Sequence, residues 1–469
     1  MVPAKLRVRS GAERVGGGRA RWIPYAVALA AVGGAHEVAA QSLSLDAIPA
    51  RAVGRAGTGL LSDDLGGAWA HNPAAASRRS SARAAVGITL VDTDLELSAF
   101  TEEPSPVMVS RAGVGRAPSA AASVSWGRTT FGVTYFSAQR LARRFEGPPV
   151  GLPEEDIQRD FSLRYAGLSG ALRRDAVMGG VSRRFTEELA LGFSAGAARV
   201  SMRESRRIWA GIAPRDVPKD PRRDLDLLAS GMDSVVPMAS LGVVYVPDEG
   251  DLELALAASY TAASALRGAV VGRPADVLSP ALMSEPEAAL ELPAAVVVRA
   301  GGRWQGERWS AEGSGQVELW PARARALHWD LPAAFVVDST GQLERYRTLP
   351  SQLSLRSSAS LRGAVDVQVV EGLLWLVAGA AWSPIATSTP RLAPGFSDLG
   401  GLTTALGAEA SAGGVTVSLG VSRLWPTARS VRHSLRRLDG PFPGGDEETG
   451  LARYEAATDL VGFSIEVEQ

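Results

Sequence analysis

The chain contains no cysteine, which excludes a disulfide scaffold and any thiolate chemistry. That absence fits an oxidising compartment, where stray thiols are a hazard. Histidine is nearly missing too: the 4 residues, His36, His71, His328 and His433, form no ligand spacing for a metal. The formal net charge is -1, so there is no basic field for nucleic acid. Aromatic residues are only 6% of the chain and do not interleave with basic ones as a single-strand binder requires. Beyond Gln41 no apolar run reaches the about 18 residues that a spanning helix needs. If the mature chain enters a membrane, it must do so as a closed barrel, the one strand arrangement that satisfies every backbone N–H and C=O in hydrocarbon.

Hydrophobic residues are 46% and charged ones 21%, so neither disorder nor a helical membrane bundle is indicated. The start carries Lys5, Arg7, Arg9, Arg14, Arg19 and Arg21, followed by an apolar run over 22–35. Val38 and Ala40 then fit a signal-peptidase cleft, so residues 1–40 read as a signal peptide cleaved before Gln41. A retained membrane anchor is the alternative.

From about residue 81 the pattern is strand, turn, strand. In 252–260, Leu252, Leu254 and Leu256 share a face with Ala258 and Tyr260, and Glu253 lies opposite. Tight connections stand at Gly127-Arg128, Thr186-Glu187-Glu188, Pro247-Asp248-Glu249-Gly250, Gln305-Gly306-Glu307 and Ala412-Gly413-Gly414. Long polar stretches lie near 202–235, 263–291, 320–351, 384–400 and 425–454. Short and long connections thus alternate, as the periplasmic turns and external loops of an outer-membrane barrel do. The expectation is an all-β, transmembrane antiparallel β-barrel of about fourteen strands over 81–469. The region 140–185 breaks the short-long parity, and 224–230 reads as a short helix inside a loop.

Two motifs suggest chemistry and are set aside. Gly192-Phe193-Ser194-Ala195-Gly196 matches a nucleophile elbow, but it lies inside an alternating strand with no helix after it. Gly57-Thr58-Gly59 lacks the lysine and preceding strand of a phosphate loop. Arg203, Arg206, Arg207, Arg222 and Arg223 read as one basic external loop, either facing anionic lipopolysaccharide or capturing a carboxylate.

The segment 41–80 is not strand-like. It runs Ala50-Arg51-Ala52-Val53-Gly54-Arg55-Ala56-Gly57-Thr58-Gly59, then Leu60-Leu61-Ser62-Asp63-Asp64, then Gly66-Gly67-Ala68-Trp69-Ala70-His71-Asn72-Pro73-Ala74. This resembles the N-terminal hatch of the FadL family, outer-membrane transporters of long-chain fatty acids and other hydrophobic compounds. Looser, collinear matches follow at Phe185–Gly192 (185–192), Leu290-Glu291-Leu292-Pro293, Trp320-Pro321, Trp382-Ser383-Pro384-Ile385 and 420–424. The chain departs from the pattern in ending on Gln469 rather than an aromatic residue, and in following Ala74 with Ala75-Ala76-Ser77.

The resemblance implies a barrel plugged by residues 41–80, with hatch or gating positions at Gly54, Gly57, Gly59, Asp63, Asp64, Asn72, Pro73 and Ala74. Asp63 and Asp64 either accept hydrogen bonds from basic lumen residues or form a solvated turn or helix cap. The implied substrate is a hydrophobic small molecule, a long-chain fatty acid or hydrocarbon, met first by external loops such as 270–277 and 335–337. The implied setting is a monomer in the outer membrane, among its lipid and lipopolysaccharide, inserted by the outer-membrane assembly machinery, with no cofactor, metal or catalytic residue. The competing reading is a non-transporting barrel that serves as scaffold or docking platform for secreted or surface proteins.

Overall fold

A computed structural model describes residues 49–469 except 63, 79–80, 100–106, 111–112, 146–164, 210–223, 248–250, 275–280, 283–286, 338–342, 386 and 437–447. The expected signal peptide, Asp63, Arg222 and Arg223 therefore lie outside the described residues.

Fourteen antiparallel strands close into a barrel. They are β1 (Arg83–Ala99), β2 (Gly115–Trp126), β3 (Thr129–Arg144), β4 (Ser169–Arg184), β5 (Leu189–Trp209), β6 (Asp224–Tyr245) and β7, which runs through Leu252–Thr261 and Ser264–Pro274. Then come β8 (Glu287–Leu292 and Ala295–Gln305), β9 (Trp309–Leu319), β10 (Ser358–Val370), β11 (Leu374–Ser383), β12 (Gly401–Ala412), β13 (Val415–Pro426) and β14 (Ala452–Glu468). Closure is made by β1 on β14, in register from Arg83↔Glu468 to Ala99↔Ala452. Each of the expected tight turns joins two neighbouring strands, and a further one lies at Glu371-Gly372-Leu373. Gly413 and Gly414 both take positive φ, 58° and 81°, as a two-residue hairpin with the barrel's twist demands.

The outer face is apolar. Val86, Ile88 and Leu90 on β1, Leu402 and Leu406 on β12, Leu419 and Val421 on β13, and Val461 and Phe463 on β14 are all exposed there. A water-soluble barrel has no reason to expose such a belt; a lipid-facing one requires it. Most of the exposed aromatic side chains stand at its edges. Trp126, Phe185, Tyr245, Trp304 and Trp309 stand exposed at the turn end, Tyr260, Trp382 and Trp425 at the loop end. On β13 the belt runs from Val415 to Trp425, roughly 25 Å of height at the ~40° tilt of membrane barrels.

Three expectations are corrected. The stretch 224–230 is not a helix but the start of β6. The presumed loops 202–235 and 263–291 are largely strand, in β5, β6, β7 and β8. The parity break at 140–185 disappears, because β3 and β4 are ordinary hairpin neighbours around a long connection. The reason is common to all three. β5 has 21 residues, about 70 Å of strand and about 50 Å of height, twice the apolar band. Above the membrane the polarity inverts: Met202 and Ile208 point inward and are buried, while Arg203 and Arg207 point out. Strands with charged outer faces read as loops in the sequence.

Candidate functional site

The lumen holds the N-terminal segment. It forms α1 (Ala50–Gly54), α2 (Leu65–His71) and a 3-10 turn, Pro73–Arg78, almost wholly buried. It fits because the strands facing it carry glycine. A methyl group added at Gly192 would collide with the Pro73–Ala74 backbone, one at Gly242 with the Asn72 side chain, and one at Gly132 with the Trp69 ring. On the opposite wall Gly379 abuts the Arg55 backbone, and Gly407, Gly420 and Gly462 abut α1. Glycine inside a strand marks a close backbone approach, and here the approaching chain is the plug. These glycines lie three to six residues from the turn ends of their strands, so the plug fills the turn-side half of the lumen.

Sequence reasoning put acids on the plug and bases on the wall; the ion pairs run mostly the other way. Arg55 Nη2 donates to Glu312 Oε2 at 2.8 Å, and its Nε lies 3.3 Å from Asp366 Oδ1, with all three side chains at most 1% exposed. Arg51 reaches Asp366 and Glu409 at 3.4 and 3.6 Å. Arg78 pairs with Glu253, which also accepts from Arg303 Nε at 2.7 Å. The missed signal was available in principle. An acid in a membrane strand faces inward, and Arg51 and Arg55 are one helical turn apart.

The expected hatch positions are placed as follows. Asn72 Nδ2 donates to the Leu60 carbonyl at 2.8 Å, and its Oδ1 accepts from the Ala74 amide at 3.3 Å, so Asn72 ties the two ends of the plug loop. Pro73 opens the 3-10 turn. The Ala74 carbonyl accepts from Ser182 Oγ of β4 at 3.1 Å. Gly54 closes α1 against Gly407, and Gly57, at φ 78°, offers its carbonyl to Arg362 at 2.8 Å. Gly59 lies beside it in a small space shared with Arg299 and Arg362. Asp64 caps α2, accepting from the Gly66 amide at 3.2 Å, rather than taking a bond from a basic lumen residue. Ser194, the centre of the elbow-like motif, is buried and donates to the Trp69 carbonyl at 2.9 Å, so it is a plug contact.

The loop-side half is apolar and filled. Residues from the β9–β10 connection, among them Trp329, Leu331, Leu349 and Leu353, pack against Leu172, Met202, Leu227 and Leu266 of the wall. Glu204 of β5 anchors them: it accepts from Trp329 Nε1 at 2.6 Å, Ser351 Oγ at 3.1 Å and the Gln352 amide at 2.9 Å. Phe335–Val337, an expected apolar contact, belongs to a small separate sheet, with Val336 in the buried cluster. The 203–207 arginines do not form one loop: Arg206 is buried and bonds the Pro350 carbonyl, while Arg207 bonds Asp226 on the neighbouring strand.

The wall is not paired everywhere. β2 and β3 pair only from Trp126↔Thr129 up to Ser119↔Phe136. Above that, β2 stays with β1 as far as Gly115, while β3 stays with β4 through a register shift at Ser137/Gln139. One ladder is thus interrupted in mid-wall. Arg140 Nε donates across the break to the Arg116 carbonyl at 2.7 Å, replacing one lost ladder bond. At the break lies a cavity of about 700 Å³ lined by Val91 and Thr93 of β1 together with Arg140–Ala142 (140–142) and residues of β4 to β7. Val91 faces the lumen and Arg173 faces outward, so this cavity reaches through the wall. Its size is that of a small-molecule site, and its lining sets Leu141, Leu172 and Met202 on the lumen side beside the guanidiniums of Arg116, Arg140, Arg173, Arg203 and Arg267.

No family model matches the sequence, and no curated protein matches it. Solved structures do match. A Pseudomonas aeruginosa FadL homologue superposes with a TM-score of 0.71 at 15% identity, over 91% of this chain and 100% of that one. The fold is FadL-like. The Ralstonia pickettii toluene transporter TbuX gives a TM-score of 0.58 at 14% identity, over 90% of this chain and 98% of the other. The P. putida toluene transporter TodX gives 0.59 at 13%, over 86% and 94%. The match spans 91% of this chain, so the FadL-like fold holds for most of it.

Proposed function

We propose that the chain is an outer-membrane channel through which hydrophobic small molecules, long-chain fatty acids included, diffuse inward and leave sideways into the bilayer. The observation that carries this reading is the interrupted β2–β3 ladder, with a cavity, apolar on its lumen side, spanning the wall above a docked plug. An apolar solute that left through the turn end would have to cross the polar plug; one that leaves through the wall enters lipid directly, where its transfer is favourable. The hydrocarbon channels among the structural neighbours support a hydrophobic cargo. The plug positions from Gly54 to Ala74 would then serve to keep the lumen shut to water and polar solutes while the side exit stays usable.

The filled loop-side half favours a second reading, a non-transporting scaffold whose loops dock another protein. One experiment separates them. The chain has no cysteine, so a single Ala142→Cys on the cavity wall can be labelled with a bulky maleimide in liposomes. Uptake of a fluorescent long-chain fatty acid, and of a monoaromatic hydrocarbon in parallel, is then followed. Saturable uptake abolished by the label at 142, but not by one at Val365→Cys on β10 of the opposite wall, supports lateral release. No uptake of either probe by an unlabelled, folded barrel refutes the channel and leaves the scaffold.

A further inference from the structure

The outer face of β3 to β7 carries a row of cations that no other part of the wall repeats among the described residues. Arg140 pairs directly with Arg173, Arg173 with Ser201, Ser201 with Met232, and Met232 with Arg267, so one line of register crosses five adjacent strands. Their chain neighbours Leu141, Leu172, Met202 and Leu266 are buried on the lumen side, so by strand alternation the row points outward. Arg203, two residues beyond Ser201, and Arg116, whose carbonyl Arg140 holds, extend the patch. Arg199, opposite Asp175 on the neighbouring strand and with its Nε 2.9 Å from Met232 Sδ, belongs to it too. Six guanidiniums thus share this face with Asp175, which is engaged by Arg173 and by Ser137 Oγ at 2.6 Å. Among the described residues neither Arg203 nor Arg267 has an acidic side chain within 4.0 Å.

Such a row is unfavourable by itself. Like charges directly opposite on paired strands destabilise the pair, and a guanidinium on a lipid-facing wall is tolerated only near the headgroups. The height fits that boundary. From Arg183, which stacks on Phe185 at the turn end with 5.5 Å to the ring centroid, to Arg173 is ten residues of β4. That is about 33 Å of strand and about 25 Å of height, the thickness of the apolar band. Below Arg199 and Asp175 the wall is apolar, with Val133, Val177, Phe193 and Leu241 exposed. On the far side of the barrel the loop-side edge carries Trp382, Leu402 and Trp425, side by side in register.

We propose that this face is a binding site for the phosphorylated headgroup of an outer-leaflet glycolipid, lipopolysaccharide, with its acyl chains lying on the apolar wall beneath. Guanidinium and phosphate match as a bidentate pair, and one phosphate between Arg140 and Arg173 would turn their repulsion into attraction. The guanidiniums of the row also rim the cavity at the break; the inference rests on the outer-membrane setting proposed above but not on the transported substrate, so failure of the uptake assay leaves it standing.

The test is binding of lipid A to the full chain in detergent by native mass spectrometry, comparing the bisphosphorylated and the dephosphorylated lipid. The native protein is expected to prefer the bisphosphorylated form at least tenfold, with the preference weakening as salt rises. The variant Arg173→Gln/Arg203→Gln/Arg267→Gln is expected to lose that preference, and Arg423→Gln on the opposite wall to keep it. Heat-modifiable gel migration verifies that each barrel is folded; should the triple variant fail this, Arg267→Gln alone is expected to give a partial loss. Equal binding of both lipids overturns the proposal, as does a preference retained by the folded variant. Displacement of the lipid by millimolar inorganic phosphate alone would make it a free-anion site, and loss of fatty-acid binding with unchanged lipid A binding a substrate site; either result also overturns it.

Discussion

Buried ion pairs hold the plug in the lumen, and they converge on Arg55. Its guanidinium is 1% exposed and is the shared partner of Glu312 and Asp366, themselves at most 1% exposed. Arg55→Met keeps the aliphatic volume and removes the charge. Glu312 would keep only the Leu61 amide, 3.1 Å away, and Asp366 would keep Arg51 and Ser310 Oγ at 3.4 and 3.1 Å. Breaking one side of a buried pair costs about 3–5 kcal/mol, because the stranded charge cannot be solvated. At about 1.4 kcal/mol per factor of ten, the undocked plug should gain about a hundredfold to a thousandfold or more in population. In planar bilayers this should appear as openings conducting small ions, rare in the native protein and frequent in the variant. Replacing Arg55 together with Glu312→Gln and Asp366→Asn removes the stranded charges and should restore most of the closure, since an apolar or neutral replacement for a buried pair is close to neutral. Unchanged conductance in the single variant would refute the view that these contacts keep the plug docked. So would a triple variant as leaky as the single one.

Three further outcomes are expected. Gly192→Val should expel the 3-10 turn, because its side chain would meet the Pro73–Ala74 backbone, which cannot rotate away; amide exchange over 73–78 should accelerate at least tenfold, whereas Gly313→Val, with open space around it, should leave it unchanged. Asp64 keeps a solvent-contacting edge yet is enclosed by the barrel, and its pKa is pushed from 3.8 up to about 7, first by burial and then by Glu466 and Glu409, against Arg51 and Arg83. A folded-state value above the unfolded one means that the proton stabilises the docked state fully below about pH 4, and that this is lost as pH rises through 7. Exchange over 65–71, corrected for its intrinsic pH dependence, should therefore quicken between pH 5 and 8 in the native chain and stay flat in Asp64→Asn. Finally, Arg140→Ala removes the side chain that bridges the interrupted ladder, and should raise the rate of probe uptake severalfold if the break is the exit; a slower rate would count against it.

How much of this was legible beforehand depends on where each residue sits relative to the membrane. Within the bilayer the outside is apolar and the inside polar or glycine, so strands such as 252–260 alternate visibly, and Glu253 was rightly placed opposite Leu252, Leu254 and Leu256. Above the bilayer the outside meets water and the inside meets packed loops, so Asp226 alternates with Leu225 and Leu227 in the inverted sense, and a strand imitates a polar loop. The plug was legible as a non-strand segment because its glycines, Asn72 and Pro73 have local reasons to be there. Its partners were not, since Arg55 and Glu312 are 257 residues apart and nothing local to either announces the other. The strand glycines were the overlooked clue. Gly132, Gly180, Gly192 and Gly242 recur at similar depths in four consecutive strands, a pattern that turn chemistry does not require and that a chain lying across the lumen does. The break in the wall is the least legible feature of all: a missing ladder is a relation between β2 and β3, and Ser137-Ala138-Gln139, where the register shifts, carries neither the glycine nor the proline that would mark it.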